Sequence, residues 1–171
     1  VVLVAYFKGD GSPDLNVIYY SLMGFLIVVG LFLSYEIFYD HLLDRERQDN
    51  GFMYMAIHIF IIFALNNITA SLEFMREPEV ALMPKLLFLI ISVIAYYAFL
   101  LSMRSYTTAA CSLKGSFFAK MLALTAAFTG LMVAFRENSY AHIFITAAYI
   151  FAIVRVLYEA RLKTEEKEKN D

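Results

Sequence analysis

The sequence predicts an all-α, polytopic transmembrane helix bundle of about five spans, and three observations carry that expectation. Hydrophobic residues make up 61% of the 171-residue chain against 18% charged, and mean hydropathy is +0.64, far more apolar than a soluble domain of this size. Five stretches reach the length of about twenty apolar residues that crosses a hydrocarbon core as a helix: residues 17–39, 52–74, 86–103, 117–135 and 140–158. The breaks between them hold charged, Gly, Pro or small polar residues, which end helices or sit in water.

Taken in order, residues 1–16 begin VVLVAYFKGDGSPD, with no methionine, no basic leader and seven apolar residues before Lys8. That is unlike a secretory signal. It reads as the outer end of a preceding span plus a loop, so the chain is expected to be the C-terminal part of a longer membrane protein. The five-helix bundle then occupies residues 17–158. Its first connection, DHLLDRERQDNG, is charged and ends in glycine; the second, MREPEVALMPK, carries two prolines; the third, RSYTTAACSLKGS, is polar and small. The fourth, RENS, is short enough to force a close antiparallel pair. Residues 159–171 mix charge signs, which suits a solvated cytoplasmic tail that frays.

Lysine and arginine set the orientation. Ten lie on one side, running from Arg45 to Lys169, and four on the other, namely Lys8, Arg76, Lys85 and Arg136. The N-terminus is therefore expected outside and the C-terminus in the cytoplasm.

Several function classes drop out. The basic residues form no continuous face, so nucleic acid is not an expected partner. A single cysteine, Cys111, gives neither an internal disulfide nor a thiolate cluster. No phosphate-cradling glycine loop and no GxSxG occurs. No cofactor is expected. A metal site at His41 with Asp40 and Asp44 lacks the fixed spacing of dedicated sites, so no metal is expected either.

The second span poses the functional question. HIFIIFALNNITASLEF, residues 58–74, is apolar enough to cross a membrane yet carries polar groups that lipid cannot satisfy. At about 100° per residue from His58, Asn66 falls near 80°, Thr69 near 20° and Glu73 near 60°, one stripe about 22 Å long. Asn67 lies opposite, and Ser71 can bond back to the carbonyl one turn earlier. Such a stripe is either interhelical adhesive or the wall of an ion, proton or solute path. Glu36, with Asp40 at i+4, lies at a depth similar to His58, and a Glu36–His58 pair would hold the imidazole charged. The alternative is that both snorkel to interfacial water.

Other positions have routine readings. Tyr96, Tyr97, Thr125, Thr129, Thr146 and Tyr149 suit backbone-bonded or interfacial groups. His142, near the outer end of the fifth span, is expected at the surface, within reach of Glu73 or the outer loops. Ala119, Ala123, Ala127, Gly130 and Ala134 recur every three or four residues and predict a packing face.

The span ending YEIFYD, the loop DRERQDN, then YMAIHIFIIFALNNITASLEF and a Pro-containing loop resemble the C-terminal half of the bacterial low temperature requirement A (LtrA) membrane proteins. The likeness covers residues 17–104 and singles out Glu36, Asp40, His58 and Glu73. It implies a polytopic bundle of more spans than these, in a bacterial cell membrane. It implies no specific activity.

The expected function is transport or permeation of an ion, proton or small solute, through Glu36, His58, Asn66, Thr69 and Glu73, with Asp40 and His142 as secondary positions. The alternative is a non-catalytic membrane scaffold or assembly subunit. An enzyme is not expected, because no nucleophile and base stand at a usable spacing. The expected partners are membrane lipid and either the rest of a longer membrane chain or further copies in a homo-oligomer.

Overall fold

A computed structural model describes residues 14–42, 51–75, 81–107, 113 and 115–169, except the side chains of His41 and Glu168. Residues 1–13, Asp44 and Cys111 lie outside that set, as do most loop residues. Among the described residues the chain is an all-α bundle of five long helices: α1 Leu15–His41, α2 Phe52–Phe74, α3 Leu82–Ser102, α4 Gly115–Ala134 and α5 Ser139–Glu168. All five are long and apolar enough to cross a membrane, which suggests a multi-pass membrane protein.

Local chemistry explains the helix ends. The Asp14 carboxylate accepts from the Asn16 N–H at 3.0 Å and caps α1, and the Asn138 side chain accepts from Ala141 N–H at 3.1 Å and caps α5. Gly51 precedes α2 at φ 63°, in the left-handed region that glycine adopts without strain. α3 begins earlier than expected, at Leu82, because Pro84 falls in its first turn, where a missing N–H costs nothing. It runs on into a 3-10 turn, Met103–Tyr106. α5 also exceeds its expected span. No break separates residues 159–168 from the bundle: the helix continues, Arg161 pairs with Glu165 at 2.7 Å, and Thr164 is buried.

Side-chain contacts define an up-and-down arrangement. Tyr20 bonds Ser139, placing the starts of α1 and α5 together. Tyr35 near the end of α1 bonds His58 near the start of α2, Phe74 meets Phe88 across the α2–α3 turn, and Lys120 near the start of α4 pairs with Glu159 of α5. Thus α1, α3 and α5 run one way and α2 and α4 the other. α3 is the most enclosed helix and packs chiefly on α2, while α5 lies between α1 and α4.

The core is a set of inward rows such as Ile27, Leu31, Ser34 and Phe38 on α1 and Ile143, Ala147, Ile150 and Leu157 on α5. The outer surface is also apolar, with Phe25, Phe32, Ile91 and Leu122 exposed, as lipid contact requires. Lipid tails are as apolar as a leucine core, so close packing and interhelical hydrogen bonds must hold the helices together.

Candidate functional site

Two of the polar groups expected to form one path are separated by the fold. His58 sits in a cluster of tyrosines where the end of α1 meets the start of α2. Its Nδ1 is 2.9 Å from the Tyr54 carbonyl one turn back, and its Nε2 is 2.8 Å from the Tyr35 hydroxyl. A carbonyl only accepts, so Nδ1 carries the proton. In the neutral ring Nε2 then accepts from the Tyr35 O–H. The rings of Tyr54, Tyr35 and Tyr39 surround the imidazole at 4.3, 5.8 and 6.3 Å. The expected Glu36–His58 pair does not form, since Tyr35 and Tyr54 take both ring nitrogens. Adjacent helical residues point about 100° apart, and the register of α1 presents Tyr35 to His58. Glu36 instead lies within electrostatic range of Arg161 on α5. Asp40, one turn further, is exposed.

The rest of the stripe faces away from the bundle. α2 buries Ile57, Ile61, Ala64, Ile68 and Ser71, and at about 100° per residue that row is centred opposite Asn66 and Glu73. Asn66, Thr69 and Glu73 are all exposed. Thr69 donates to the Leu65 carbonyl at 3.0 Å and Ser71 to the Asn67 carbonyl at 2.7 Å, the local back-bonding expected of Ser71. Neither Asn66 nor Glu73 has a hydrogen bond or ion pair among the described residues. A path walled by these three residues would run between chains, not through this one.

The interhelical hydrogen bonds lie elsewhere, on residues that sequence reasoning treated as routine or passed over. The Tyr96 hydroxyl donates to the Leu31 carbonyl at 2.7 Å, joining α3 to α1. Ser34 gives its one proton to the Gly30 carbonyl, so the Tyr97 hydroxyl, 3.1 Å away, donates to Ser34 Oγ. By the same logic Thr125 donates to the Met121 carbonyl and receives the Tyr149 hydroxyl proton at 2.9 Å, joining α4 to α5. Tyr97 and Tyr149 meet edge to face at 5.8 Å, and Tyr149 stacks on Phe128 at 4.4 Å. Each hydroxyl chain ends on a peptide carbonyl, which does not take up a proton. These bonds fasten helices and relay nothing.

A second fastening closes the end where α1 and α5 begin. Tyr19 donates to the Tyr140 carbonyl, Tyr20 shares a hydrogen bond with Ser139, and Tyr140 donates to Asn16 Oδ1, all within 2.8–2.9 Å. Behind it sits His142. Far from lying at the surface, it is fully buried, and neither ring nitrogen has a hydrogen-bond partner. The Met132 and Phe135 carbonyls at the end of α4 are near it but not in bonding geometry. The short turn brings α4 over the start of α5, and the tyrosines bring α1, which is why a residue one turn from a helix end is sealed.

The small-residue row of α4 also differs from expectation. Ala119, Ala123, Ala127, Gly130 and Ala134 are exposed, and a Cβ added at Gly130 would meet nothing within 4 Å. Nothing among the described residues packs against the row. Among the described residues no group of three His, Cys, Asp or Glu side chains could hold a metal ion.

No family model, curated protein or solved structure matches the chain. Function is therefore read from geometry alone.

Proposed function

We propose that the chain is a non-catalytic membrane assembly subunit that docks on other membrane protein through the outward face of α2. The observation that carries this reading is the exposure of Asn66 and Glu73 on a transmembrane helix. Asn66 lies about 12 Å from the end of α2 at 1.5 Å per residue, well inside the hydrocarbon. Lipid offers such a group nothing to bond, so protein is its natural cover. With the interior hydroxyls already spent on helix-to-helix bonds, adhesion within the chain needs no help from this face.

The test is Asn66→Leu in lipid nanodiscs. The expected result is a shift from a larger assembly to the single chain, with the helix content and melting temperature of that chain unchanged. A wild-type chain that is already single in lipid, and is unaffected by the substitution, refutes the reading.

Permeation of a proton or cation is the second reading, favoured by the buried imidazole of His142. Gradient-driven flux into liposomes that His142→Phe removes would support it; absence of flux in the wild type would end it. The basic-residue count supports an outer N-terminus and a cytoplasmic C-terminus, and kinship with the LtrA proteins rests on residues 17–104.

A further inference from the structure

Resting on the assembly reading, we infer that the partner of the α2 face is the α4 face of a second copy of this chain. Amid the bulky apolar outer surface of the bundle, two helices carry an outward row of a different kind that nothing within the described chain covers. On α2 that row is Asn66, Thr69 and Glu73; on α4 it is the smooth one from Ala119 to Ala134. They are complementary in shape, because a row of Ala and Gly lets a neighbouring helix approach until side-chain amides and hydroxyls reach its backbone. At Gly130 even an added Cβ would meet nothing within 4 Å.

They are also complementary in charge and depth. α2 and α4 run in the same direction, so two copies in one membrane set them parallel. Glu73 is the next-to-last residue of α2, and Arg136 stands two residues past the end of α4, at the same end of the bundle. Arg136 is exposed and reaches the neighbouring Glu137 only at 4.0 Å, at the limit of an ion pair. With Glu73 level with Arg136 of the next copy, Asn66 falls about 10 Å lower, level with Gly130. A contact between two unlike faces repeats head to tail, so the assembly closes as a ring or runs on, in contrast to a two-fold dimer.

Cross-linking tests this in membranes, in a Cys111→Ser background with full-length chains. Copies carrying Thr69→Cys, whose hydroxyl bonds only its own helix, and copies carrying Ala134→Cys, about 3 Å from the same level, are co-expressed and oxidised. The expected result is a disulfide-linked pair containing one of each, absent when either variant is expressed alone. In parallel, Glu73→Arg and Arg136→Glu should each lower the assembled fraction about threefold or more, and the two changes together in one chain should restore it. Linking of Thr69→Cys to itself, or to a different protein, overturns the α2–α4 pairing while leaving assembly through α2 intact. A single chain in lipid that forms no link overturns both. Failure of the double charge exchange to restore assembly, with each single variant melting like wild type, also overturns the pairing.

Discussion

Gly30→Ala should loosen the contact between α1 and α5 that the rest of the bundle depends on. A Cβ built at Gly30 lies 2.5 Å from Ile150 Cγ2 and 3.7 Å from its Cβ. The first distance falls about 1 Å short of carbon–carbon contact. Ile150 cannot swing away: it is fully buried, and a β-branched side chain in a helix has one strongly preferred rotamer. The helices must separate instead. Overpacking of this kind costs about 1–3 kcal/mol, against a gain of up to about 1 kcal/mol from replacing glycine in a helix. A net loss is expected, read as a lower midpoint in reversible detergent unfolding. Gly24→Ala is the control, since its nearest neighbour, Leu72 Cδ1, is 4.0 Å away, and it should be neutral or stabilising. Ile150→Ala should then cost less in the Gly30→Ala background than in the wild type, because the new methyl occupies the vacated volume. If Gly30→Ala unfolds no more easily than Gly24→Ala, α1 and α5 do not approach as described.

Two further outcomes follow from the placement of the histidines. Tyr35→Phe should lower stability by about 0.6 kcal/mol, and at most about 1.7, the range of interhelical bonds, whereas Glu36→Gln should leave the His58 imidazole NMR shifts unchanged; the opposite pattern would restore Glu36 as the partner of His58. His142→Leu should hold or raise the unfolding midpoint, since it removes a buried group whose unmet hydrogen bonds cost about 1–3 kcal/mol, and a clear loss of stability would mean that the imidazole is bonded in the membrane.

The outward face of α2 bears on how the polar stripe is understood. Helical periodicity puts Asn66, Thr69 and Glu73 on one face, and because lipid rejects polar groups that face is expected to turn inward. α2 instead gives the bundle Ile57, Ile61, Ala64 and Ile68, an aliphatic row that packs tightly on α3. The outward face also carries Ile59 and Ile62, which suit lipid, but Asn66 beside them is satisfied only when protein covers it.

Number and alternating direction of the helices were determined by the sequence alone, since a run of apolar residues near membrane length has no other stable form in lipid, and charged or Pro- and Gly-bearing breaks can only lie outside; the extra length of α3 and α5 was not. The common face of Asn66, Thr69 and Glu73 was equally legible, because helical pitch is invariant. Which way that face points was not, for it depends on the rotation of α2 about its own axis, set by packing against α3. Register decided the rest: Tyr35 and not Glu36 meets His58, Tyr97 meets Ser34, and His142 is sealed beneath α4 and α1. A shift of one residue turns a helical side chain by about 100°, so partners separated by 63 positions, as Ser34 and Tyr97 are, are chosen only when the helices dock.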